Sequence, residues 1–212
     1  MRRRRDRRDA GTSPAAESAR HLLAGGAALA AGVLICIDRA PRPIATTDGL
    51  SWFGVLRATV LEYGLTLLVT AALILRAAAM IAAVPALRPA RLGLTVSAAL
   101  LPALVATPYT VNTVMNWIHM TVGSVLFVVQ LLLSAWLWWA RTRTPSVLAL
   151  LVVEFLAGVV CFSSLIDLNT WMLYGQLVFQ LAFVACVAVA IETADPGASS
   201  TIPERPAASS EA

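Results

Sequence analysis

Six mostly apolar runs, each about as long as one membrane crossing, divide this chain at 21–37, 58–78, 92–107, 116–140, 146–166 and 171–191. A bilayer core of about 30 Å takes roughly 20 residues of α-helix, so each run is predicted to cross a membrane once. The third run is short and carries Pro102, and the AAAMIAAV stretch (77–84) before it is expected to extend the second helix or to form a turn of its own. Composition agrees: 58% of residues are hydrophobic and only 13% are charged, against roughly 25% charged in an ordinary soluble domain. The expected fold is therefore an all-α, polytopic membrane bundle of about six transmembrane helices.

The flanks are different in kind. Residues 1–20 and 192–212 are rich in Ser, Ala, Pro and charge, with too little bulky apolar surface to fold, and are expected to be disordered tails on a bundle spanning 21–191. The chain has sixteen Arg and no Lys, which points to a GC-rich bacterial genome. With the N-terminus placed in the cytoplasm, thirteen Arg fall inside, and Arg39, Arg42 and Arg57 fall outside. The positive-inside rule then sets both termini in the cytoplasm, in the bacterial plasma membrane. Trp136, Trp138 and Trp139 mark the inner rim, and Trp117, Trp171 and Tyr174 the outer rim. The opening RRRRDRR is explained by topology and by attraction to anionic headgroups, so no nucleic-acid partner is inferred from it. Cys36, Cys161 and Cys186 lie in apolar runs without CxxC spacing, which supports no disulfide framework or zinc site; no metal or cofactor is indicated.

Helical spacing sorts the polar residues onto inward faces. The fourth helix aligns Asn116, His119, Gly123, Gln130 and Ser134, and the fifth aligns Glu154, Ala157, Gly158, Cys161 and Ser164. Phe155, Val159 and Phe162 point away towards lipid, while Gly25, Gly32 and Cys36 give the first helix a small face suited to close packing. Glu154, inside LVVEFLAGVV (151–160), is the residue most costly to leave in hydrocarbon. A rise of about 1.5 Å per residue puts Glu154, Gln130 and Gln180 in one middle layer, roughly 12 to 16 Å from the inner ends of their helices. Either amide is then expected to hydrogen-bond the carboxyl, whichever its protonation state.

A second polar group gathers near the outer ends: Glu62, Asn116, His119 and Gln176, with Asp167 from the LIDLNT loop and Asp48 from the first outer segment. Acids converging on a histidine suit acid–base chemistry, and His119 is expected within reach of Glu62 or Asp167. The first outer segment, IATTDGLSWFGVLRA (44–58), mixes turn residues with apolar ones. It is read as an interfacial anchor, with a lid over the mouth of the bundle as the alternative.

The TTDG stretch (46–49) and the NWIHMTVGSVLF opening of the fourth helix, with His119, Gly123 and Phe127, resemble uncharacterised six-helix bacterial membrane proteins grouped as a domain of unknown function. More distantly, the chain is similar to DRAM/Frag-type membrane proteins. The resemblance implies a fold across residues 20–190 and no established activity. Three readings of function follow. The favoured one is a noncatalytic membrane protein that binds a lipid, a partner membrane protein or a second copy of itself. The others are a proton-coupled carrier using Glu154, and a membrane-embedded enzyme using Glu62, His119 and Asp167.

Overall fold

The computed structural model of the chain describes residues 13–41 and 48–194, and every regular element among them is helical. The long helices are α1 (Pro14–Arg39), α2 (Val60–Met80), α3 (Arg88–Ala106), α4 (Thr113–Leu137), α5 (Pro145–Leu165) and α6 (Met172–Thr193). Each belongs to a helical stretch long and apolar enough to cross a membrane. The all-α, six-helix membrane bundle read from the sequence is the fold. The AAAMIAAV stretch continues α2 to Met80, and two 3₁₀ turns, Ile81–Ala83 and Pro85–Leu87, then carry the chain to α3.

α1 begins at Pro14, so residues 14–20, expected in the tail, are helical. The cause is local: the Ser13 side chain accepts the Ala16 N–H at 3.2 Å, Pro14 presets the first turn and Glu17 suits the helix dipole. Tertiary packing secures the turn, because Ala15, Ser18 and Ala19 are buried and the Ser18 hydroxyl donates to the Ala77 carbonyl at 2.9 Å. The expected disorder of 1–12 and 195–212 concerns residues outside those described. α4 likewise starts at Thr113, where the Asn112 side chain accepts the Met115 N–H at 2.9 Å.

Helices α1 to α4 pack in chain order, α6 returns beside α1, and α5 lies on the outside of α6. Burial follows this arrangement: 61% of the most apolar window of α6 is buried, against 22% for α5. Both ends of the bundle, Pro14 and Thr193, lie at one end, called here the terminal end; the α1–α2, α3–α4 and α5–α6 links form the loop end. The small face of α1 allows a close crossing, since a Cβ at Gly32 would stand only 2.7 Å from the Thr66 Cβ on α2. Leu61, Leu132 and Phe162 remain more than 60% exposed and present apolar surface to lipid.

Aromatic residues mark both rims. At the terminal end α4 runs into a π-helical turn, Trp138–Thr142, closed by Arg143 in the left-handed region with φ 48°. Arg141 lies over the Trp136 ring at 5.4 Å and Arg143 over Trp139 at 4.8 Å, and the Arg141 guanidinium also donates to the Ala86 carbonyl. At the loop end Trp117, Trp171 and Tyr174 are exposed.

Candidate functional site

Residues 48–59, the described part of the segment before α2, turn inward at the loop end. Leu50–Gly54 forms a 3₁₀ turn in which Leu50, Trp52 and Phe53 are buried, and the Thr59 hydroxyl donates to the Phe53 carbonyl at 2.8 Å. Five residues cannot span a bilayer, and burying their apolar side chains draws the turn into the mouth of the bundle. This corrects the expectation of an interfacial anchor: 44–47 lie outside the described residues, and the described residues 48–58 form a plug. It is fastened to α6, where the Gln176 side-chain oxygen accepts the Leu50 N–H at 2.6 Å. Gly49 makes that approach possible, because a Cβ there would meet the Gln176 amide at 2.9 and 3.2 Å.

The plug carries Ser51 to His119. The Ser51 Oγ lies 2.8 Å from His119 Nε2, and His119 Nδ1 lies 2.8 Å from the Thr107 carbonyl oxygen. A carbonyl only accepts, so in the neutral imidazole Nδ1 bears the proton and Nε2 accepts the hydrogen of Ser51. Tyr63 of α2 lies beside Ser51, and the Tyr109 ring packs on His119 with centroids 5.6 Å apart. Tyr109 lies outside the membrane helices, and burial together with the negative charge of Asp48 pushes its phenol upward, so it stays neutral.

Beneath this group is a cavity of about 450 Å³, within the range of small-molecule sites. It descends from Ser51, Tyr63, His119 and Gln176 to Thr70 and Gln180, between walls of Leu, Met and Phe. Among the described residues no charged side chain lines it. Its exposed lining residues all belong to α4 and α5: Met120, Ser124 and Val128 on one side, and Phe155, Val159, Phe162 and Leu165 on the other. α5 packs along α6 and leaves α4 largely uncovered, so the cavity opens sideways between α4 and α5, at membrane depth.

The expected residues divide clearly. His119 and Gln176 belong to this site, and Asp48 flanks it beside Tyr109. Glu62 does not join it, because its carboxylate pairs with Arg39 across the α1–α2 crossing. Asn116 is exposed and absent from the lining, since α4 starts three residues before it and turns it outward. Asp167 is exposed with φ 58°, a left-handed residue that ends α5. No hydrogen bond or ion pair links His119 to either acid among the described residues, and no three His, Cys, Asp or Glu side chains gather there as a metal site.

The middle layer differs in its pairing. Gln130 and Gln180 are buried and bond each other reciprocally, Nε2 to Oε1, at 2.9 and 3.0 Å. Two amides facing each other satisfy donor and acceptor at once, and the groups a carboxyl would have met are then already engaged. Glu154 is fully buried beside Ser134 and Cys186, and among the described residues neither its oxygens nor the Ser134 hydroxyl make a hydrogen bond of normal length. The expected bond from Glu154 to an amide is therefore not formed. Sequence reasoning also missed Ser51, Tyr63 and the Thr107 carbonyl. A signal was present, however: a serine between a buried leucine and two aromatics, in a segment too short to span, goes wherever those apolar neighbours go.

No protein-family model matches the chain, and no curated protein or solved structure is significantly similar to it.

The contrast in the middle layer is testable by thermal unfolding in one detergent. Gln130→Leu strands the Gln180 amide and is expected to cost about 1 kcal/mol, from two membrane hydrogen bonds of about 0.6 kcal/mol each. Glu154→Leu removes no bond and is expected to unfold no earlier than the wild type. Loss of stability in Glu154→Leu equal to that in Gln130→Leu would show that the carboxyl is bonded after all.

Proposed function

We propose that this protein binds a lipid-like molecule that enters its cavity sideways from the membrane. The observation that carries the reading is the composition of the cavity wall: its exposed residues lie on two lipid-facing helices, and the described residues that line it carry no charge. Apolar burial favours a hydrocarbon chain by about 0.8 kcal/mol for each CH₂ removed from water, and the polar loop end offers hydrogen bonds to an uncharged head. A charged headgroup would find no counter-charge among the described lining residues. The carrier reading has less support, because Glu154 does not line the cavity.

Native mass spectrometry of the protein purified gently from its own membrane tests the reading. A neutral lipid is expected to remain bound. Gly123→Leu is the matched variant, since a Cβ there meets only Leu104 Cδ2, at 3.8 Å, and the longer side chain can fill the cavity. It is expected to lower lipid occupancy about tenfold, equivalent to about 1.4 kcal/mol, without lowering the melting temperature. A wild-type protein free of lipid, or a variant that retains as much, would count against the proposal.

We infer that the membrane is a bacterial plasma membrane with the terminal end in the cytoplasm; the arginine bias supports this, since Arg20, Arg76, Arg88, Arg91, Arg141 and Arg143 all belong to that end. A cysteine replacing Asp48 should react with a membrane-impermeant maleimide in intact cells, and one replacing Arg143 only after permeabilisation. The native Cys36, Cys161 and Cys186 are buried and give little background. Labelling at position 143 in intact cells would invert the orientation.

A further inference from the structure

We propose that Ser51 and His119 are a nucleophile–base pair that transfers the acyl group of a neutral lipid ester held in the cavity. This rests on the lipid-binding reading above and adds an activity to the same site. A nucleophile within hydrogen-bond reach of a base, with the base oriented by a third group, is the arrangement that activates a serine. Ser51, His119 and the Thr107 carbonyl meet it at 2.8 Å in both steps. The carbonyl holds the ring in the tautomer that leaves Nε2 free to take the serine proton. It acts as a positioning group, whereas Ser51 and His119 touch the reacting atoms.

Two further groups suit the developing oxyanion. The Tyr63 hydroxyl stands beside Ser51, and the Gln176 oxygen, once it has accepted from Leu50, leaves that amide's N–H groups as donors at the cavity wall. Behind the pair is a second cavity of about 30 Å³, lined by Ser51, Tyr63, Tyr109 and His119, with Pro108 and Val105 among its apolar walls. A water needs roughly 10 to 15 Å³ of such space, so this chamber has room for about two. Ser51, Tyr63, Leu104 and His119 line both spaces and therefore separate a large chamber suited to an acyl chain from a small one with room for water beside the Ser51 and His119 side chains.

The chemistry balances with these groups and water. The Ser51 Oγ attacks the ester carbonyl while its proton passes to His119 Nε2, and Tyr63 and Gln176 donate to the oxyanion. The ester C–O bond breaks, and the departing alkoxide leaves as the alcohol with the proton from Nε2. Water then attacks the acyl-serine and gives a proton to Nε2. The bond between the acyl carbon and Ser51 Oγ breaks, Oγ recovers that proton from Nε2, and a carboxylic acid is released. An acceptor alcohol in place of water gives a new ester by the same steps.

Hexadecyl fluorophosphonate, which carries a long chain and phosphonylates activated serines, tests this on the full-length protein in vesicles. Peptide mass spectrometry of the wild type is expected to find the adduct on Ser51 and none on Ser124, which also lines the cavity. Labelling is expected to slow about 10² to 10⁴-fold in His119→Gln, the range for a lost general base, and about 100-fold in Tyr63→Phe. Ser51→Ala should elute like the wild type and take no label. An unlabelled Ser51 in protein that still carries lipid overturns acyl transfer and leaves lipid binding standing. Failure of both labelling and lipid retention overturns both. Equal labelling rates in wild type and His119→Gln would also reject the pair, because a serine held for structure alone does not depend on a base.

Discussion

Inside a bilayer there is no water to satisfy a polar group, so an inward-facing donor or acceptor gains most where it finds a partner within the bundle. This constraint organises the structure from one end to the other. At the loop end it joins Ser51, His119 and the Thr107 carbonyl into one chain of hydrogen bonds and ties the plug to Gln176. In the middle it couples α4 to α6 through the Gln130–Gln180 amides. Between α1 and α2, Ser18 and Thr70 donate to carbonyls of the facing or preceding helix, at 2.9 and 3.5 Å. These contacts fix rotation and depth, which apolar packing in an apolar solvent leaves loosely specified.

The cavity follows from how the helices share burial. α6 carries small and apolar side chains on most of its surface and packs with α1, α4 and α5, so it takes the centre. α5 contributes only Val147, Glu154, Ala157 and Cys161 as buried residues, and its remaining sides face outward. Because it approaches α4 closely over little of its length, the space beneath the plug stays open to lipid. Phe127 and Phe179, stacked at 4.2 Å, bridge α4 and α6 across that space, and Gly158 leaves room for the Phe179 ring. The plug closes the loop end while the side remains open, a geometry that suits a molecule arriving from the membrane.

Much of the fold was legible in the sequence because hydrophobic length and helical spacing are local signals. Six spans, the aromatic rims and the buried stripe of α5 follow from them directly. Helix starts were less legible: Ser13 and Asn112 cap their helices through single side-chain bonds that lie outside the apolar runs. The site was legible in its members and not in its pairing. His119 and Gln176 stand out as polar residues on inward faces, but which groups meet depends on the relative rotation and offset of helices, to which spacing along one helix is blind. Glu62 had Arg39 nearer to hand, the two glutamines satisfied each other, and Ser51 arrived on a turn whose burial is decided by its aromatic neighbours. Glu154 is where local reading and structure part most sharply: its burial was foreseen, and the amide partner expected of it is engaged elsewhere.

The central claim is that a lipid chain passes between α4 and α5 into the interior. Photo-crosslinking in vesicles with a neutral lipid that carries a diazirine near the end of its chain tests it most directly. Leu67 and Leu126 line the cavity yet are only 3% and 2% exposed, so a chain lying on the outer surface does not reach them. The expected result is adducts at these two residues as well as at Val128 and Phe155 beside the lateral opening. Adducts confined to outward residues such as Leu61 and Leu132, with none at Leu67 or Leu126, would contradict it.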